Sequence, residues 1–573
     1  MALDLLIRGG TVIDGTGAPR FTADVGIADG RIAEIGRTSS RAKRVIDADG
    51  LIVSPGFVDL HTHMDAQVMW DPLGTCSCYH GVTSVAMSNC GFTLAPCKPA
   101  DRQWYADSLS YVEDISVEAM AAGIEWTWET FPEYMAAVER RPMALNHAMY
   151  IGHSALRMYV MGRRSLTDEA TPEEVARMAA IVQDALRAGA IGFSTSRTHT
   201  HLTPDGSPVA SRIATWDEIE RIVAAMAEID AGIVQSGPDL SSYRGNVEFL
   251  GKMRHFALDH GRPVMFGIIG TRQGAEPASW QIQAKLIKDV NDAGGRMYGQ
   301  SSTRSINATF SMKSYLPFDN LAEWKAIRGL PIEAQKARMR DPETRRKLVA
   351  AEANMKPRDN VMQGGGAATT DPRKPDYGNL FALVGVDWND PTIAQLAAER
   401  GAHPVEVMID LMLENEDQIF IQPINNENPD DILGILTHDF CLPTFSDSGA
   451  HVAQEIGSLL QTHFLRYWVN LRGAFTMEQA VKKLAHDNAR AGGFEGRGVL
   501  KEGYHADVVL FDEKGVKPSM PRIEHDLPGG ARRLKLEAEG IEKTIVNGVV
   551  TLEAGQPTGD HGGVVIRGRP GRP

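Results

Sequence analysis

Residues 51–67 read LIVSPGFVDLHTHMDAQ, a short apolar run that ends in two histidines one residue apart. Side chains at i and i+2 of a strand point to the same side, so His61 and His63 project together from the strand's end. Two imidazoles converging in this way are either a hydrogen-bonded core pair or part of a metal site.

Seven further runs of the same kind follow between residues 81 and 451: GVTSVAMSNC (81–90), MALNHAMYIGH (143–153), GAIGFSTS (189–196), GIVQSG (232–237), PVMFGII (263–269), RMYGQSS (296–302) and LPTFSDSGAH (442–451). Helical stretches separate them, which is the pattern of a parallel α/β fold. Eight strands close a (β/α)₈ barrel, whose chemistry sits at the C-terminal strand ends, where His61 and His63 fall. The expected fold is therefore a TIM barrel over residues 56–494, with an insertion at about 303–441 that carries helix-like segments and the loose stretch MQGGGAATTDPRKPDYGN. Both termini have a different texture. LLIRGGTVID, DVGIADGRIAEIG and RVIDADGLIV at the start, and HADVVLFD and EKTIVNGVVTLEAG near the end, are short strands punctuated by Gly, Asp and Asn, with a hairpin signal at Asn547 and Gly548. Residues 1–55 and 495–556 are expected to form one small β-sandwich domain, followed by an irregular tail at 557–573.

The chain has 573 residues, 43% hydrophobic and 23% charged, with a net charge of −14. These are ordinary globular proportions, and an acidic chain is poorly suited to binding a phosphate backbone. No stretch has the unbroken apolar length of a membrane helix. A small-molecule substrate is expected, with neither nucleic acid nor membrane as partner; another copy of the chain, as a homo-oligomer, is the one macromolecular partner left open. MALDLLIRGGTVIDG lacks the regions of a signal peptide, which gives a cytoplasmic expectation. The five cysteines, Cys76, Cys78, Cys90, Cys97 and Cys441, make no disulfide framework in so long a chain.

GGTVIDGTG, PGFVDLHTH, NCG, GHSALR, GAIGFSTS, SDSGAH and GRGVLKEGYHADVVLFD with VNG span nearly the whole sequence. In these motifs the chain resembles the amidohydrolase superfamily and, more narrowly, its N-acyl-D-amino-acid deacylase (D-aminoacylase) branch. The resemblance implies a metal-bearing barrel with a β-sandwich of both termini. It also implies that Cys90, otherwise a small buried hydrophobe, is a thiolate ligand, and that Asp447, otherwise a turn aspartate, touches the metal and handles the proton. A metal lowers the pKa of its water, yet a protein group must still take the proton and deliver it to the leaving nitrogen. His451 and His153 are candidates for substrate contact or for supporting the ligands. His199 and His201 in SRTHTHLT are expected on the surface or against substrate, and Cys76 and Cys78 are expected to be structural. Arg304, Arg373 and Tyr377 are candidates to meet a carboxylate or aromatic group of the substrate.

The chain departs from this family pattern where histidines are expected at the ends of strands five and six. Gln235 and Ile269 stand there, and no histidine occurs between His201 and His255. A bridged pair of metals is then hard to build, and one divalent ion held by His61, His63, Cys90 and Asp447 is expected. Imidazole with thiolate favours zinc, although manganese, iron or cobalt also accept His and Asp. The expected function is metal-dependent hydrolysis of a C–N bond in a small N-acyl amine or N-acyl amino acid. Two alternatives remain: hydrolysis of a cyclic amide, lactone or ester on the same site, and a metal-free, non-enzymatic scaffold.

Overall fold

The computed structural model describes residues 2–270, 279–356, 374–386, 388 and 390–569. Eight parallel strands form the barrel in chain order: Phe57–Asp59, Val82–Met87, Asn146–Gly152, Gly192–Ser196, Ile233–Gly237, Val264–Gly267, Met297–Ser301 and Cys441–Pro443. They are buried almost throughout, which is why each reads as a continuous apolar run instead of an alternation. The barrel closes between its first and eighth strands just beyond their regular parts. Thr62 pairs in parallel with Ser448, the His63 N–H donates to the Ser448 carbonyl (2.8 Å), and the Asp447 N–H donates to the His61 carbonyl (3.2 Å). Closure thus runs through the residues that carry the candidate ligands.

Helices cover the barrel. Pro172–Ala188 shows how the sequence sets their ends: Thr171 accepts from the Glu174 N–H in a capping box, Pro172 fills the first turn, and Gly189 stops the helix at φ 115°. Among the described residues, no helix is long and apolar enough to cross a membrane.

Both termini build one nine-stranded mixed sheet. Its first strand, Leu3–Val12, runs beside Ala42–Asp47 over Leu3 to Arg8, then beside Ile52–Pro55 at Thr11 and Val12. The switch occurs at Gly9 and Gly10. Gly9 has φ 73°, and a Cβ on Gly10 would stand 2.4 Å from a methyl of Val53, so the Gly-Gly pair permits a branch that a side chain would block. Leu5, Val25, Ile46, Val53, Val508 and Ile545, drawn from both ends of the chain, enclose one shared core. Asn547 (φ 48°) and Gly548 (φ 81°) form the expected two-residue turn between Ile541–Val546 and Val549–Glu553.

Between the seventh and eighth strands the chain forms a second body with its own three-stranded antiparallel sheet, Ile306–Ser311, Ile419–Asn425 and Phe381–Ala382. Helices pack on it around Phe310, Phe318, Trp324, Met339, Leu348 and Met408. Beyond Pro557 the described tail contains no strand, but it docks along the barrel: the His147 N–H donates to the Val564 carbonyl and the Gly568 N–H to the Gly189 carbonyl. A hairpin, Arg522–Leu527 with Ala531–Lys535, reaches from the terminal sheet to the mouth of the barrel, where the Leu534 N–H donates to the Val452 carbonyl (2.6 Å).

Candidate metal centre

His61 and His63 leave the first strand in extended conformation and turn their rings to the same side, with ring centroids 5.5 Å apart. Cys90 lies in the turn after the second strand. Ser88 (φ 68°) and Cys90 (φ 56°) both adopt left-handed conformations there, and the Cys90 N–H is held by the Gln235 side-chain oxygen at 2.8 Å. Asp447 (φ 50°) and His451 (φ 47°) sit in a similarly strained loop after the eighth strand. Gly449 brings that loop against the first: an added Cβ would meet the His63 carbonyl at 2.7 Å. Non-glycine residues with positive φ are costly and gather where a structure over-determines a functional arrangement.

The ligand-capable atoms of His61, His63 and Cys90 all lie within 4.8 Å of one another. The His61 Nε2 is 3.4 Å from the Cys90 Sγ and 3.3 Å from the Asp447 Oδ1, which is also 3.4 Å from the His63 Nε2. Donors placed about 2.0–2.1 Å from a tetrahedral zinc lie about 3.3–3.4 Å from each other. The Asp447 Oδ1 is buried and accepts no hydrogen bond, as expected of an oxygen kept for an ion. The far sides of both rings are also supported. The His61 Nδ1 donates to the Gln300 Oε1 (2.9 Å), and the His63 Nδ1 faces the Glu113 Oε1 at 3.2 Å. The acceptor behind His61 fixes the tautomer that leaves its Nε2 free, the arrangement common to metal-bound histidines, while behind His63 the Glu113 carboxylate stands at ion-pair distance without a directed hydrogen bond. The residues present therefore fit a metal ion.

The electrostatics agree. Burial pushes the His61 imidazole down to about 4, so it is neutral at ordinary pH. Burial also opposes charge on His63, but Glu113 and Asp447 outweigh it and raise its pKa well above the usual value. Asp447 is buried too, yet the His63 and His61 rings hold its carboxyl down at about 2. Desolvation raises Glu113 to about 7 and raises the Cys90 thiol. Two carboxylates, two imidazoles and a thiol, nearly sealed from water, make a donor set suited to a cation.

Some expectations need correction. His153 is fully buried, with Nδ1 on the Thr195 hydroxyl and Nε2 on the Glu218 Oε1 (both 2.8 Å); Arg157 also binds Glu218. Both of its nitrogens are engaged, so it anchors a helix instead of facing substrate. The Tyr377 hydroxyl donates to the Glu352 Oε1 (2.6 Å) inside the inserted body. Burial lifts the Glu455 carboxyl to about 8 despite the Asn307 N–H and the nearby buried Arg304, which both lower it. Arg373 lies outside the described residues. Cys76 and Cys78 are buried, with the Cys76 Sγ accepting from the Leu536 N–H. His201 comes nearer than its loop position suggested: its Nδ1 meets the Ser196 hydroxyl at 2.8 Å, and after burial the largest influences on its charge are His63, His451 and Asp447. His451 likewise feels Asp447 and His63.

Glu113 was not singled out by the sequence. It ends the helix Arg102–Glu113, and nothing in LSYVEDIS distinguishes it from any helical glutamate; only the fold brings it to His63. Gln235 fills the space where a ligand histidine was expected, joining the Cys90 N–H to Gln300.

A parallel barrel with an imidazole, thiolate and carboxylate cluster at its C-terminal mouth defines a metal-dependent hydrolase of the TIM-barrel class. A family model described as the amidohydrolase family matches residues 44–552. The D-aminoacylase of Alcaligenes xylosoxydans xylosoxydans is 29% identical over 569 residues, covering 98% of this chain and 97% of its own. The N-acyl-D-glutamate deacylase of the same organism is 28% identical over 573 residues, covering 99% and 97%. Among solved structures, the N-acyl-D-glutamate deacylase of Bordetella bronchiseptica, complexed with zinc and a phosphonate inhibitor, shares the fold with a TM-score of 0.65 at 24% identity, over 99% of this chain and 100% of that one. The chain belongs to the amidohydrolase family: it is a metal-dependent enzyme that hydrolyses amide C–N bonds.

Proposed function

We propose that this enzyme deacylates N-acyl amino acids, with the D-amino-acid derivatives as its substrate class, using one zinc ion held by His61, His63, Cys90 and Asp447. The observation that carries the reading is the clustering of His61, His63 and Cys90, whose ligand-capable atoms lie within 4.8 Å of one another, with the Asp447 Oδ1 3.3 and 3.4 Å from the His61 and His63 Nε2 atoms. Whole-length similarity to a D-aminoacylase and an N-acyl-D-glutamate deacylase supports the substrate class. An ion held by these residues would supply Lewis acidity toward the carbonyl and the water. Asp447, ionised and facing the two imidazoles, takes the proton from the attacking water and passes it to the leaving nitrogen as the C–N bond breaks. The carboxylate and the free amine of the amino acid are the products. His201 and His451, both within electrostatic reach of Asp447, are the side chains assigned to meet the substrate in this reading. Gln235 in place of an imidazole argues for one ion at the mouth and not two.

Elemental analysis of the purified protein, joined to a screen of N-acetyl amino acids of both hands, tests the proposal. One zinc per chain and turnover confined to the D-series is expected. Turnover of L-substrates alone, or two ions a few ångströms apart in an anomalous-scattering map at the mouth, would overturn it.

A further inference from the structure

A second cluster of metal-ligating side chains lies on the outer helical layer, at the connection that leads into the N-terminal end of the sixth strand. Glu220 comes from the helix Trp216–Glu228, His255 from the last turn of the helix Tyr243–Leu258, and His260 from the loop before Val264. We propose that Glu220, His255 and His260 form a peripheral divalent-cation site, separate from the mouth, that takes zinc or a similar borderline ion and ties the two helices together.

Geometry carries the proposal. One ligand-capable atom from each of the three residues lies within 4.8 Å of the other two. The His255 Nε2 and the Glu220 Oε1 are 3.0 Å apart, a hydrogen-bonding contact that holds the two donors side by side. The other nitrogen of His255 faces the Asp259 Oδ2 at 2.5 Å. A carboxylate behind the ring orients Nε2 and raises its basicity, as outer carboxylates do for metal-bound histidines. Lys252 lies 3.0 Å from Glu220, but on Oε2, so Oε1 remains directed at His255. The Nε2 of His260 is buried and has no hydrogen-bond partner. Buried imidazole nitrogens are seldom left so, and a bound ion would satisfy this one. The His255 and His260 rings stand 4.9 Å apart, close to edge-on at 79°, so neither stacks over the other's nitrogens. His255 and Glu220 keep about a third of their side-chain surface exposed, which leaves a path for an ion from solution. Two imidazoles and one carboxylate, with an open position, make a donor set suited to zinc, nickel or cobalt rather than to calcium or magnesium.

The competing reading is a plain ion-pair network in which protonated His255 sits between Asp259 and Glu220. The two readings differ in what added metal does. Holoenzyme already carrying its mouth ion is titrated with zinc chloride by isothermal calorimetry at pH 7.5, alongside His260→Ala and Glu220→Gln. The proposal expects one additional, weaker zinc per chain, an affinity at least ten-fold lower in either variant, unchanged turnover in both, and a rise in Tm with zinc in the parent protein that the variants lack. An anomalous peak between Glu220 and His255 would locate the ion. Absence of additional binding in the parent, or additional binding with the same affinity in both variants, overturns the proposal. Glu220→Gln keeps side-chain size, and the parent titration by itself can reject the site if His260→Ala does not fold.

Discussion

The Nδ1 of His63 lies 3.2 Å from the Oε1 of Glu113, and both groups are buried, at 6% and 4% side-chain exposure. These residues are fifty positions apart and belong to different βα units, so the pair exists only because the helix ending at Glu113 returns over the mouth. Its His451 contact strengthens the point: the His451 N–H donates to the Glu113 carbonyl, so one residue supports the first loop with its side chain and the eighth loop with its backbone. Glu113→Ala removes the acceptor behind His63, and outer-shell losses of this kind typically weaken metal binding by about 10- to 100-fold. Glu113→Gln keeps an acceptor oxygen and should retain most of the affinity. Competition with a chelator measures both, and equal affinity in Glu113→Ala and the parent would reduce the pair to packing.

His61→Ala or His63→Ala should remove bound metal and activity together while leaving the fold. Each ring contributes one donor to the cluster, and its loss opens a cavity at a strand end, not in the middle of the barrel core. Circular dichroism and metal content on the same sample decide the matter. Full metal and full turnover in either variant would make the pair structural.

For the thiol, substitution by charge separates ligation from packing. A metal-bound cysteine is a thiolate, so Cys90→Asp, which also carries a negative charge, should hold more metal than Cys90→Ser. Burial otherwise raises this thiol and keeps it protonated. Equal loss of stability in both variants, without preferential loss of metal, would return Cys90 to the barrel wall.

Two histidines outside the mouth predict acid lability. His80, on the Thr462 hydroxyl, and His147, on the Leu145 carbonyl, are pushed by burial to about 3 and about 4. Both are neutral in the folded chain, whereas in the unfolded chain each binds a proton near pH 6.5. The unfolded state therefore takes up more protons below that pH. Stability is fully present above about pH 6.5, falls as the pH drops toward 4, and changes little from these groups below about 3. The combined effect is on the order of several kcal/mol. Buried carboxyls such as Glu455 act in the opposite sense over the same range, so the contribution is read as a difference: between pH 7.5 and 4 the urea midpoint of the metal-free parent should drop relative to that of His147→Gln. Parallel profiles in the two proteins would mean that water reaches the His147 ring.

The eight barrel strands were legible as short apolar runs separated by helical stretches; His61 and His63 stood out by their spacing at a strand end, and Cys90 and Asp447 by the motifs shared with the deacylase branch. The Asn547–Gly548 turn was an equally local signal, whereas the branch of the terminal sheet at Gly9 and Gly10 showed only in the pairing of the strands. What the sequence concealed depends on contacts between distant segments. Glu113 has an ordinary helical context, and Gln235 could be read as a missing ligand but not as the group that holds the Cys90 N–H. His153 ends a strand as His61 nearly does, yet Glu218 and Thr195 take both of its nitrogens, and no local pattern distinguishes the two situations. Tyr377 was a candidate to meet substrate for its chemistry alone, and its hydroxyl bond to Glu352 inside the core of the inserted body has no local signal.

Asp447 is the group on which the proposed chemistry turns. Its Oδ1 lies within 3.4 Å of both the His61 and His63 Nε2 atoms, its backbone is held at φ 50° by the loop that closes the barrel, and it stays ionised because the neighbouring imidazoles outweigh its burial. Asp447→Asn keeps the size and removes the base. General acid–base catalysis typically contributes about 10²- to 10⁴-fold, so kcat should fall at least that far, and further if the carboxylate also holds the ion. The leaving group separates these two roles. An anilide or ester scarcely needs its departing atom protonated, whereas an alkyl amide does, so a proton carrier's loss should harm the amide more. A ligand's loss should harm both alike. Steady-state rates of the variant on an N-acyl amino acid and on an activated ester, at equal metal occupancy, distinguish the cases. Equal losses would leave Asp447 as a ligand only and make His451, the next ionisable group on the same loop, the first candidate for the proton.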